Sequence, residues 1–151
     1  MYMSKDNYLS NNVSSKNVKN GSSSQTVFNV ENDILILRLY IFVVSKTNFD
    51  GLTSSALKFH DSNDNLITKI TNDSDLSGIS ANDIITVAGN TITTMTSGPV
   101  SNKLRFSVIY PMYVNLNNQS NKIKFSCSSG FTGELLFRLC WKPLEVNSMV
   151  S

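Results

Sequence analysis

Residues 34–44, ILILRLYIFVV, are the most apolar stretch of the chain, and Arg38 is the only charge within them. As a helix these eleven residues rise only about 16 Å, roughly half of a bilayer's hydrocarbon core, and Arg38 adds a cost near the centre. A membrane span is therefore rejected. As a strand the stretch divides by parity into Leu35, Leu37, Leu39, Ile41 and Val43 on one face and Ile34, Ile36, Arg38, Tyr40, Phe42 and Val44 on the other. The first set is wholly aliphatic and is expected in the core. The second mixes an arginine with two aromatics, a composition enriched where proteins meet. It fits a partner surface or a strand face covered by the chain's own loops, since buried strands also read as continuous apolar runs.

Composition around this stretch supports a β fold. The chain has 151 residues, enough for one domain with its own core. Charged residues make up only 16%, while 19 Asn, 23 Ser and 11 Thr supply the polarity. Asn competes for backbone hydrogen bonds and disfavours helix interiors, whereas Thr favours strands. From Thr26 onward, short apolar stretches alternate with turn chemistry: 26–30, 34–45, 56–60, 66–71, 84–87, 91–95, 104–110, 112–116, 122–128 and 135–141. Turns are read at Glu31 to Asp33, Asp50-Gly51, Asp61 to Asn65, Gly89-Asn90, Ser97 to Pro99, Asn115 to Asn121 and Gly130 to Gly133. The spacing predicts an all-β, antiparallel β-sandwich, jelly-roll-like, of about 8–9 strands. The one helical candidate is a single turn near Asp73 to Ser80.

Residues 1–25 have few large apolar side chains and include the low-complexity stretch KNGSSSQ. They read as an extended N-terminal arm, spanning on the order of 80 Å if fully extended, whose removal leaves the domain folded. Tyr2, Tyr8 and Leu9 are its candidate contact residues, alongside Arg38, Tyr40 and Phe42 of the strand. The sandwich domain is placed at 26–146 and a short C-terminal tail at 147–151.

Alternation in the last two stretches pairs Ile123, Phe125 and Cys127 with Leu139, Phe137 and Leu135 across an expected hairpin, with Trp141 on the core face. That arrangement holds Cys127 and Cys140 on opposite faces and predicts two free thiols, as in a reducing compartment. No apolar leader precedes the domain, so synthesis and assembly in a cytoplasm are expected. The four N-x-[ST] matches at Asn12, Asn20, Asn72 and Asn118 follow from composition.

Little in the sequence suggests catalysis. His60 is the only histidine, and its alternation with Lys58 points it toward solvent. No nucleophile elbow, phosphate-binding glycine loop or paired-cysteine zinc spacing is present. In DSNDN, Asp61, Asn63 and Asn65 match the first ligands of a calcium loop, but Leu66 stands where Gly is needed and Asn72 where Glu is needed. An Asn/Asp turn accounts for them. The net charge of +2 and the absence of any run of basic residues argue against a nucleic-acid partner. No catalytic, metal or cofactor site is expected.

The order of these elements resembles small β-sandwich virion proteins of tailed bacteriophages: capsid decoration, auxiliary capsid and head-fibre proteins. Phe49, Asp50 and Gly51 match their F-x-G loop, and Leu57, Phe59 and Asp61 match their L-x-I-G-D-type strand end, with His60 in place of the glycine. The resemblance covers residues 30–141. It implies a non-enzymatic structural component of a virion, bound to the major capsid protein or other virion proteins, often trimeric, with the arm as a clamp. The runner-up is a carbohydrate- or host-surface-binding module of a fibre or tail, to which Tyr40, Phe42, Tyr110 and Tyr113 would contribute; Trp141 on the core face counts against it.

Overall fold

A computed structural model describes residues 11–71, 73–88, 91–95, 112–114 and 120–151. Eleven strands are described: β1 Asn12–Lys19, β2 Ser24–Glu31, β3 Ile34–Asn48, β4 Ala56–Asp61, β5 Leu66–Lys69, β6 Ile84–Ala88, β7 Thr91–Met95, β8 Met112–Val114, β9 Ser120–Ser126, β10 Thr132–Pro143 and β11 Met149–Val150. They form two antiparallel sheets, β1-β10-β3-β6-β7 with β8 also paired to β3, and β11-β2-β9-β4-β5. Without β7, β8 and β11, the layers read β1-β10-β3-β6 over β2-β9-β4-β5. The first strand pairs with the last, the second with the last but one, and so inward to β3 with β6 and β4 with β5. This nested pairing is the jelly-roll order.

The core lies between the sheets. β3 contributes Ile34, Ile36, Leu39, Ile41 and Val43, β10 contributes Leu135, Phe137, Leu139 and Trp141, and the opposite layer supplies Val27, Phe28, Val30, Leu57, Phe59, Ile123 and Phe125. Phe49, Phe131, Phe125 and Phe137 run through it as a chain of rings with centroids 5.7, 6.5 and 5.2 Å apart. Such tilted and edge-on pairs add to the area buried.

Strict parity fails in β3 for a local reason. Arg38 pairs with Cys140 but Trp141 pairs with Ile36, so Leu37 is an extra residue, and the register slips again opposite Glu134–Leu135 and Thr132–Gly133. These are β-bulges, which bend a strand and shift its alternation. Leu39, Ile41 and Val43 face the core as expected, whereas Leu35 and Leu37 are half-buried and Ile34 and Ile36 take their core positions.

Four further expectations are corrected. The expected β9–β10 hairpin does not form: β9 pairs with β2 and β4, β10 with β1 and β3, and residues 127–131 cross between the layers. The inward residues of both strands are as anticipated, but they meet across the core. Residues 12–19 are not a free arm, because β1 pairs with β10 along its whole length; the N-terminal boundary of the sandwich is β1, and Tyr2, Tyr8 and Leu9 lie outside the described residues. The strand is legible only through its partner: Trp141 Nε1 donates to Ser14 Oγ at 3.0 Å, and Val18 packs on the core. The tail also joins a sheet, as Met149 and Val150 pair with Glu31 and Val30. In place of a helical turn at 73–80 the chain makes turns, and a 3-10 turn occupies Asp50–Leu52.

Candidate functional site

The outer face of the six-stranded sheet gathers the residues expected to touch a partner. Antiparallel pairing sets Val13, Cys140 and Arg38 in one row, Ser15, Arg138, Tyr40 and Thr86 in the next, and Asn17, Leu136, Phe42 and Ile84 in a third. Arg38 is exposed, Tyr40 and Phe42 are half-buried, and Val13 and Val44 are 59% and 37% exposed. Toward β6 the face is closed, since Ile84 and Thr86 are buried. Its accessible part lies over β1 and β10 and around Arg38 and Val44.

Arg138 was not singled out from sequence, yet it organises this face. Its guanidinium donates from Nη1 to Tyr40 Oη at 3.1 Å and from Nε to Ser15 Oγ at 3.3 Å, with Cζ 5.9 Å from the centre of the Tyr40 ring. Three strands are thereby tied by one side chain, and the ring is held by a cation near its face. The signal for it was present in the alternation of Leu136, Arg138, Cys140 and Lys142. Only the pairing of β10 with β3 brings that set beside Arg38, Tyr40 and Phe42. Among the described residues the charges on the face are Arg38, Arg138, Lys142 and Lys19, against Glu134 beside Lys19.

A second feature lies at one end of the sandwich, where the β1–β2, β3–β4 and β9–β10 connections meet. Ser129 N donates to Gly51 O at 3.1 Å, Phe131 N to Gly21 O at 3.0 Å and Ser128 N to Thr53 O at 3.0 Å. The loops approach so closely that a Cβ on Gly51 would collide with Gly130 O, and one on Gly21 with the Phe131 ring. This junction frames an open cavity of about 480 Å³ whose polar lining is Asn20, Asn48, Asp50, Ser129 and Thr132. Asn48 Oδ1 accepts from Asp50 N at 2.8 Å, and Asn20 Oδ1 from Gly133 N at 3.1 Å.

The β4–β5 connection is an Asn/Asp turn. Asp61 accepts from Asn63 N at 2.9 Å, Asn65 N at 2.8 Å and Asn65 Nδ2 at 3.2 Å, and Asp64 takes a positive φ of 67°. The carboxylate that would lead a calcium loop is thus engaged by its own turn, and the bond from Asn65 N is the main cause of its lowered pKa. Asp64 is also lowered, chiefly by the hydrogen bond from Lys124. His60 shares an outer face with Lys58 as expected, but its side chain is only 16% exposed and its Nδ1 lies 3.0 Å from Asp64 O.

Both cysteines are free and half-buried. Cys127 donates to Ser129 O at 3.0 Å, and burial raises its pKa, so its thiol is held protonated. Comparison with protein-family models, with curated proteins and with solved structures finds no match.

Proposed function

We propose that this chain is a non-enzymatic structural protein of a tailed-phage virion, of the capsid decoration or auxiliary type, cement or head-fibre. In this reading it docks on the major capsid protein or another virion protein through the outer face of its six-stranded sheet. The observation that carries the reading is the cluster of Arg38, Tyr40 and Phe42 beside Leu136 and Arg138, in which Arg138 holds the Tyr40 ring in place. A partner meeting this face finds an ordered aromatic and two guanidinium groups, the residue types that dominate interface energetics. Ordering is already present in the free chain, so less entropy is lost on docking. The jelly roll suits the role, because virion shells and lectins both use it, but the fold alone does not choose between them. A homo-oligomer, trimeric by the resemblance, and assembly in a host cytoplasm complete the proposal. Mass spectrometry of purified particles tests it: peptides of this chain at a fixed stoichiometry to the major shell protein support it, and their absence from intact particles refutes it.

The polar cavity at the loop junction favours a second reading, a module that binds carbohydrate on a host surface. Asn48, Asp50 and Thr132 offer the mixed donors and acceptors that hydroxyl groups need. Against it, Phe131 and Trp141 are buried and offer a sugar ring no exposed aromatic surface on which to lie. A glycan array separates the readings, because binding there that is lost in Asp50→Ala belongs to the second.

A further inference from the structure

Lysines that are scattered along the sequence meet on the outer face of the five-stranded sheet. Lys58 of β4 lies directly opposite Lys124 of β9 on one side and Lys69 of β5 on the other. The next row sets His60 of β4 opposite Lys122 of β9. Like charges directly opposed on neighbouring strands destabilise a sheet, and nothing in the core requires them here. Thr26, Asn29 and Ser126 on the same face show that uncharged polar residues serve equally well. Places where a sequence breaks a local rule of stability are where function is to be sought.

The repulsion is only partly offset. Asp64 accepts from Lys124 Nζ at 2.8 and 3.1 Å and lies 3.6 Å from His60 Nδ1, while Asp73 accepts from Lys69 Nζ at 3.1 Å. Both carboxylates sit outside the strands and are about half exposed, 52% and 49%, and surface pairs of this kind are weak and readily exchanged. Asp61 is engaged by its own turn, and Glu31, exposed opposite Ser120 in the row beyond Lys122, adds a further carboxylate at the edge of the face. Among the described residues neither Lys58 nor Lys122 makes a direct ion pair, although Lys122 lies near enough to Asp64 to help lower its pKa.

We propose that this face binds the phosphodiester backbone of duplex nucleic acid without reading its sequence. Neighbouring rows and strands place the points from which the lysines project roughly 5–7 Å apart, a density that calls for closely spaced anions, and duplex DNA presents one charge per roughly 1.7 Å of axis. Lysine is a mobile point charge suited to phosphate. Among the described residues the face holds no Phe, Tyr or Trp on which unpaired bases would stack, its one imidazole, His60, being only 16% exposed, and no arginine fork to read a base edge. Duplex is therefore favoured over single strand. The absence of a basic run, which argued against nucleic acid in the sequence, does not bear on a surface assembled by sheet pairing. This site is on the opposite side of the sandwich from the proposed docking face, so either can fail without the other.

The test is fluorescence anisotropy of the full chain with a labelled 20-base-pair duplex of arbitrary sequence between 50 and 200 mM salt. Binding is expected at 50 mM salt, with log K falling against log[salt] at a slope of about −2.7 to −3.6 for three to four phosphates engaged. Lys58→Gln with Lys122→Gln is expected to weaken binding at least tenfold and to lower the slope by about 2. Lys16→Gln with Lys19→Gln, on β1 of the other sheet, leaves both unchanged. Absence of binding at 50 mM salt, equal loss in the two double variants, or preference for a sulfated polysaccharide at equal charge overturns the proposal. Lys58→Thr adds a separate check: removing the opposed charge is expected to raise the unfolding midpoint by about 1–3 °C while weakening binding. A lowered midpoint would show that the row carries no repulsion and remove the premise.

Discussion

Replacing Ile36 by Ala tests the bulge that sets the faces of β3. Ile36 is 1% exposed and sits among the core side chains of both layers. The substitution removes three buried carbons, worth about 2.4 kcal/mol at roughly 0.8 kcal/mol each. The cavity left between two packed sheets brings the expected loss to about 3–4 kcal/mol. Leu35 and Leu37 are half-buried on the opposite side of the strand, so Leu35→Ala and Leu37→Ala lose about half the transfer term and leave no enclosed void, about 1 kcal/mol each. In urea at 25 °C, with a slope near 2 kcal/mol per molar, the midpoint falls by about 1.5–2 M for Ile36→Ala and about 0.5 M for either leucine. Deleting Leu37 outright is tolerated for the same reason, because Cys140 and Trp141 already face Arg38 and Ile36. Equal losses at Leu35, Leu37 and Ile36, or a larger loss at Leu37, would mean that the strand keeps one parity throughout.

Two other perturbations address the loop junction and the edge strand. Gly51→Ala forces a Cβ against Gly130 O and is expected to cost about 1–3 kcal/mol by thermal unfolding, whereas Gly78→Ala, with nothing within 4 Å, is neutral or slightly stabilising. Removing residues 1–19 takes away β1, leaves Trp141 Nε1 without Ser14 and lowers the midpoint by at least several degrees, contrary to the expectation for a dispensable arm.

Much of this architecture could be read from local pattern. The Asn32 turn, the DSNDN turn and the inward residues of β9 and β10 follow from alternation and turn chemistry, because each depends on neighbours in sequence. Strand partners do not. The crossing at 127–131 cannot be told from a hairpin by alternation, since both put Phe125 and Phe137 on apolar faces. β1 escapes notice because an edge strand needs few apolar residues, and its Val13 and Val18 point to opposite faces. The bulge at Leu37 is invisible for a related reason: Leu35 and Leu37 are as aliphatic as Ile34 and Ile36, so the change of parity leaves no mark in hydropathy. For the site, the same limit separates Arg38, Tyr40 and Phe42, which share a strand and a parity, from Arg138, which reaches them only through pairing. The lysine rows on the other sheet are the extreme case, as Lys58, Lys69, Lys122 and Lys124 come from three strands.

The docking role of the six-stranded sheet is tested most directly by charge reversal at its exposed centre. Arg38→Glu alters a side chain outside the core, so the unfolding midpoint should stay within about 1–2 °C of the parent, while an acidic group is placed where a partner meets a cationic, aromatic surface. The decisive measurement is the amount of Arg38→Glu chain recovered in purified particles relative to wild type expressed at the same level. The account predicts at least a tenfold loss of incorporation by a fully folded variant; wild-type incorporation would contradict it.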